Sequence, residues 1–201
     1  MIGKYQKPAE LYEGLRLHQN ENTGGCSPPV LAALASLTAE QVGFYPPYEA
    51  ATRACARYLG VDPERLSLVN GLDEGIMATA VAYLRPRPEL PVAEAIIPEP
   101  SFEIFAFDTE VVGARPVRIA AGADYAFPLD RVLEAITPHT RVMFVTSPNN
   151  PTGVMTPLHA VRAIAERVPA GAIVFVDEAY AEFSGVSFIP ELERYPNVVV
   201  G

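Results

Sequence analysis

Short apolar runs alternate with helical spacing along most of the chain. Six runs, Leu66-Ser67-Leu68-Val69, Ala95-Ile96-Ile97, Val117-Arg118-Ile119, Val142-Met143-Phe144-Val145, Ile173-Val174-Phe175-Val176 and Asn197-Val198-Val199-Val200, are rich in β-branched or aromatic residues. Polar or turn-forming residues close most of them, so each is predicted as a strand. Between them, apolar residues recur at helical spacing in a stretch carrying Ile76, Met77, Ala80, Val81 and Leu84, over 102–112, within 125–136 behind Pro128 and Asp130, and around Val161, Ile164, Ala165 and Val168. A brief helix is expected over 190–195. Nearer the start, 28–37 reads as a helix with Ser27 as N-cap and prolines in its first turn. Residues 49–59 read as an amphipathic helix with Ala51, Cys55, Tyr58 and Leu59 on one stripe. Alternating strands and helices predict an α/β doubly wound layer. Residues 1–25 have little periodicity and read as an arm.

Composition narrows the possibilities. Of 201 residues, 49% are hydrophobic and 19% charged, a balance typical of a globular protein with a sizeable core. The net charge of −9 argues against nucleic acid or an anionic membrane as partner, because both need a basic face. No apolar run approaches the ~20 residues that span a bilayer, and the first residues lack the apolar core of a signal peptide. A cytoplasmic protein is expected. Cys26 and Cys55 have no metal-binding or secretory context, so free thiols are expected. His18, His139 and His159 are scattered without ligand spacing, so no metal site is expected. Ser147 stands before a proline rather than in a Gly-x-Ser-x-Gly elbow, and no Gly-x-x-x-x-Gly-Lys loop occurs.

Two polar segments stand where chemistry would sit. Ser147-Pro148-Asn149-Asn150-Pro151-Thr152-Gly153 follows one predicted strand, and Asp177-Glu178-Ala179-Tyr180 follows the next. In an open parallel sheet, ligands bind beyond the carboxyl ends of the strands, so Asn150, Asp177 and Tyr180 would share a crevice. The prolines and glycine around Asn150 fix a sharp loop, although a plain strand-ending turn explains Asn-Pro taken alone. A third segment, Asn70-Gly71-Leu72-Asp73-Glu74-Gly75, leads from the first run into a helix. There, free backbone amides and the helix dipole suit an anion. Acids in a first turn also complement the dipole with no ligand present.

The heptapeptide and the Asp-Glu-Ala-Tyr segment together resemble the fold-type I aminotransferases that use pyridoxal 5′-phosphate (PLP), in particular the histidinol-phosphate aminotransferase group. The resemblance runs from about Leu15 to Gly201. It implies a three-layer α/β sandwich with a mostly parallel sheet, incomplete at its C-terminus. It assigns 1–25 to an arm that belongs with a small domain outside this chain, and 26–201 to the PLP-binding large domain. Asp177 would keep the ring nitrogen protonated, Asn150 and Tyr180 would hold the ring 3-oxygen, and Phe102 would lie on the ring face. Backbone amides of Leu72 and Asp73 would bind the cofactor phosphate, as would Tyr45, in Phe44-Tyr45-Pro46, from the other subunit of a homodimer.

The family's cofactor-holding lysine is expected shortly after 197–200, whereas the lysines here are Lys4 and Lys7. The large domain therefore reads as truncated before that lysine, with no catalytic residue assigned and this chain expected to be inactive alone. The activity implied for the whole protein is transfer of an amino group between an amino acid or amino-alcohol phosphate and a 2-oxo acid. Two alternatives stand: a non-catalytic remnant or binding module of the same fold, or a PLP-dependent lyase or decarboxylase.

Overall fold

The computed structural model describes residues 13–90 and 92–201, which fall into two compact units, 13–68 and 69–201. The first unit is helical, with α1 (Pro28–Ala35), α2 (Ala39–Gly43) and α3 (Tyr48–Leu59). Ser27 does stand at the N-cap of α1, but its side chain makes no capping bond. Helix α2 was not expected. Its signature is a capping box, in which Thr38 Oγ1 accepts from Gln41 N at 3.2 Å and Gln41 Oε1 accepts from Thr38 N at 2.9 Å. Helix α3 ends where Gly60 turns left-handed at φ 70°, a conformation that costs glycine little.

The second unit is a parallel sheet with helices on both faces. Its elements in chain order are α4 (Leu72–Tyr83), β1 (Glu94–Glu99), α5 (Ile104–Val111), β2 (Arg115–Ala120), α6 (Leu129–Ala135), β3 (Thr140–Thr146), α7 (Leu158–Arg167), β4 (Ile173–Asp177), α8 (Ala181–Ser184) and β5 (Val198–Val200). The strands lie in the order β2-β1-β3-β4-β5, and every neighbouring pair is parallel. The chain therefore runs outward from β1 to β2, then reverses past β1 to β3. Parallel crossovers keep one hand, so a reversal of direction puts the connecting helices on opposite faces.

The core records that division residue by residue. Ala95, Ile97, Val142, Phe144, Ile173 and Phe175 pack on one face with Ile76 and Ala80 of α4 and Phe105 of α5. Their strand neighbours Ile96, Met143, Val145, Val174 and Val176 pack on the other face with Val132 of α6 and Val161 and Ile164 of α7. Both sets are buried, which is why these runs read as continuously apolar rather than alternating. An aromatic file crosses the first face: Phe105 stacks on Phe144 at 4.6 Å, and Phe144 meets Phe175 at 5.8 Å.

Three expectations change. Residues 66–69 are not a strand: an apolar run becomes a strand only where its amides find a ladder, and none of the five described strands pairs with it. The helix expected over 190–195 is a 3-10 turn, Ile189–Glu191. The amides of Glu191, Leu192 and Arg194 each reach back three residues, and the Arg162 guanidinium grips the Glu191 carboxylate with two bonds of 2.6 Å. Finally, Pro128 rather than Asp130 is the N-cap of α6.

Because Phe144 is 1% exposed and lies between two other rings, Phe144→Ala is expected to cost about 3–5 kcal/mol in urea unfolding. A loss below about 1 kcal/mol would contradict this picture of the core.

Candidate functional site

Reversal of the chain at β1 makes the gap between the carboxyl ends of β1 and β3 a topological switch point, where open α/β sheets bind ligands. Strand β1 delivers Glu99-Pro100-Ser101-Phe102 to this edge, and β3 delivers Ser147-Pro148-Asn149-Asn150. Register sets the next strand level with them: Thr146 pairs with Asp177, and Ser147 N donates to Asp177 O at 2.9 Å.

The loop after β3 is tied at several points. Asn149 Nδ2 donates to the Pro100 carbonyl at 2.9 Å and to Thr152 Oγ1 at 2.8 Å, so this side chain joins the β1 and β3 loops. Gly153 N closes back on Asn149 O at 2.7 Å, at a positive φ of 71° that favours glycine. Thr156 N donates to Ser147 Oγ at 3.2 Å, while Thr156 Oγ1 donates to Thr146 O at 3.1 Å. Asn150 is thereby presented from a fixed turn and is half-buried. Phe102, also half-buried, meets Phe105 edge-on at 6.0 Å. A recess of about 490 Å³ opens beside Phe102 and Pro151.

Asp177 ends β4 and is 5% exposed. Burial raises its pKa to about 6; the bond from Ala179 N at 3.0 Å opposes the rise, and the charges of Asp73 and Glu178 add to it. No cationic side chain among the described residues forms an ion pair with it. A buried carboxylate held this way favours a cation beside it, and a ligand bearing a protonated ring nitrogen meets that need. Tyr180 follows as the N-cap residue of α8, half-buried.

Leu72 and Asp73 open α4 behind Gly71, whose φ is 76°. The Glu74 carboxylate accepts from Asn70 N. Leu72 packs against the core face shared by α4 and α5, and Asp73 is exposed yet close enough to raise the pKa of Asp177. Leu72, Asp73, Phe102, Asn150, Asp177 and Tyr180 thus all belong to the sheet unit. Tyr45 belongs to the helical unit, fully exposed between α2 and α3. Among the described residues, no group of three or more His, Cys, Asp or Glu side chains is placed to hold a metal.

Three contributors escaped the sequence reading. In the sequence, Asn149 reads only as part of the sharp loop that presents Asn150. Asp108, on α5, is 4% exposed, and burial and then Asp73 raise its pKa to about 6. Its signal was an acid four residues after Ile104, inside an apolar helical stripe. The third, Glu178, is buried and accepts from Phe188 N at 2.6 Å.

The raised pKa values carry a stability signature. Asp177 and Asp108 titrate near 6 when folded and near 3.8 when unfolded. The folded chain therefore keeps protons that the unfolded chain releases, so stability falls as pH rises through about 4 to 6 and the penalty is complete above it. Asp177→Asn keeps an acceptor for Ala179 N and removes the charge. At pH 7 and without ligand it is expected to raise stability in urea by about 1–3 kcal/mol and to flatten the pH dependence below about 6. Lower stability at pH 7 would contradict the assignment.

Comparison with known proteins agrees with this fold. The family model for aminotransferase class I and II matches residues 12–201. The histidinol-phosphate aminotransferase of Lactiplantibacillus plantarum is 31% identical over 205 residues, covering 99% of this chain and 56% of that relative. That of Methanocella arvoryzae is 35% identical over 190 residues, covering 93% and 50%. The chain thus spans about half the length of the curated relatives it matches. Among solved structures, the histidinol-phosphate aminotransferase of Sinorhizobium meliloti, in complex with pyridoxal 5′-phosphate, aligns with a TM-score of 0.77 at 24% identity, over 90% of this chain and 49% of that one. N-succinyldiaminopimelate aminotransferase of Mycobacterium tuberculosis aligns with a TM-score of 0.64 at 30% identity, over 77% and 42%. With a parallel α/β sheet and a match along nearly its whole length, the chain belongs to the aminotransferase class I and II family.

Proposed function

We propose that this chain is the cofactor-binding part of a PLP-dependent aminotransferase. It would move an amino group between an amino acid or amino-alcohol phosphate, histidinol phosphate being the model, and a 2-oxo acid. The observation that carries the reading is Asp177, a buried carboxylate at the strand end beside the switch point. When bound, the cofactor supplies an electron sink for a carbanion at the substrate α-carbon.

The chain's own residues provide the rest of the arrangement. Asp177 holds a proton on the ring nitrogen, because an ion pair favours the charged form of both partners. Its own pKa falls from about 6 as the cation arrives. Phe102 covers one face of the ring. Asn150 and Tyr180 would hydrogen-bond the ring 3-oxygen and so fix the ring's rotation. The first-turn amides of α4, at Leu72 and Asp73, would hold the phosphate, since the helix dipole there favours an anion. Tyr45 supplies a hydroxyl to the phosphate from a second copy of the chain, which makes the working form a homodimer.

Lys4 and Lys7 stand in no matching motif, so these 201 residues alone are expected to bind ligand without turnover. Pyridoxamine 5′-phosphate is the suitable probe, since it binds without condensing with an amine. In calorimetric titration, Asp177→Ala is expected to weaken it about 100-fold or more, the scale of a broken buried ion pair. Tyr45→Phe is expected to weaken it severalfold in a dimeric preparation while leaving the unfolding midpoint unchanged. Equal affinity for Asp177→Ala and the parent chain would overturn the reading, and equal affinity for Tyr45→Phe would remove Tyr45 from the site.

A further inference from the structure

We infer that Glu178 is a positioning residue that aims Tyr180 at the ring 3-oxygen, by locking the loop on which Tyr180 rides. The inference rests on the cofactor reading above. Glu178 is 9% exposed. Its Oε1 accepts from Phe188 N at 2.6 Å, ten residues on, and the carboxylate also accepts from the Ser187 hydroxyl.

Its backbone is fixed as well. Glu178 N donates to Gly201 O at 2.7 Å, which anchors it beside β5, and Glu178 O accepts from Ala181 N at 2.8 Å across Tyr180. The far end of the loop is equally firm. Phe188 is 0% exposed and packs on Tyr195 at 5.6 Å, within the cluster that holds Val174 and Val176. Between these anchors the loop is largely solvated, with Phe183 89% exposed. One carboxylate therefore ties the outgoing strand to the returning segment. Without it, the buried Phe188 N–H loses its acceptor, a costly state that the loop relieves by shifting.

Burial makes the carboxylate harder to ionise, and Glu182 nearby adds to this, while the Ser187 and Phe188 bonds oppose both. Geometry rather than charge is what the position uses, since the amide oxygen of glutamine accepts the same Phe188 N–H. Aspartate is one methylene too short to reach it.

The test compares two ligands by calorimetry on the full 201-residue chain: pyridoxamine 5′-phosphate and its 3-deoxy analogue, which lacks the ring oxygen that Tyr180 holds. Glu178→Ala and Glu178→Asp are each expected to weaken the first ligand about tenfold, the scale of one lost buried hydrogen bond, and the second at most about twofold. Tyr180→Phe is expected to show the same selective loss, and Glu178→Gln to keep both affinities. If Glu178→Ala does not fold, the still charged but shorter Glu178→Asp carries the comparison. Equal losses for both ligands, parent-like affinity of Glu178→Asp for the first ligand, or failure of Glu178→Gln to rescue would overturn the inference and leave Glu178 a purely structural residue. Failure of the cofactor reading itself shows in the parent chain, as no binding of either ligand, and removes the inference with it.

Discussion

The proposed site depends on keeping a carboxylate buried at the end of an inner strand. Asp177 is the last residue of β4; it pairs with Thr146 of β3, and on the β5 side its neighbours Val176 and Glu178 are both bonded to Gly201. Folding removes its side chain from water and leaves it a single described donor, Ala179 N. Lifting the pKa to about 6 corresponds to about 2–3 kcal/mol of strain against the ionised form at neutral pH. For a domain stable by only ~5–15 kcal/mol, that is a large standing cost. A cation placed beside the carboxylate removes it, so the same burial that weakens the free fold would favour a protonated ring in the proposed site.

Everything else at that edge serves placement. The reversal from β2 to β3 past β1 opens the crevice, and the two apolar faces of the sheet hold its strands in register. Asn149 then bridges the two loops that border the crevice, and Glu178 ties the third. These ties run through backbone carbonyls and amides, which move little once the sheet is formed. Aiming a side chain within a fraction of an ångström calls for that kind of support.

Much of this was legible in the chain. The strands β1 to β5 each announced themselves by β-branched and aromatic runs, and the polar segments at their ends marked the crevice. The apolar run at 66–69 misled, because hydrophobic pattern reports burial preference and says nothing of whether a neighbouring ladder is present. Helix α2 was missed because its signal is a four-residue capping box rather than periodicity. Asn149, Asp108 and Glu178 were passed over for a common reason. Their roles come from contacts across the fold, with Pro100, Asp73 and Phe188, which no local window contains. The resemblance supplied the roles proposed for Asn150, Asp177 and Tyr180; the geometry adds a reason Asp177 suits the one proposed for it.

The most direct measurement is the protonation state of the ring nitrogen in the bound ligand. Pyridoxamine 5′-phosphate labelled with nitrogen-15 in the ring reports this by its chemical shift. Bound to the chain at a pH where the free ring is neutral, the nitrogen should show the protonated shift, and bound to Asp177→Asn it should not. A neutral ring nitrogen in the complex with the unsubstituted chain would contradict the account.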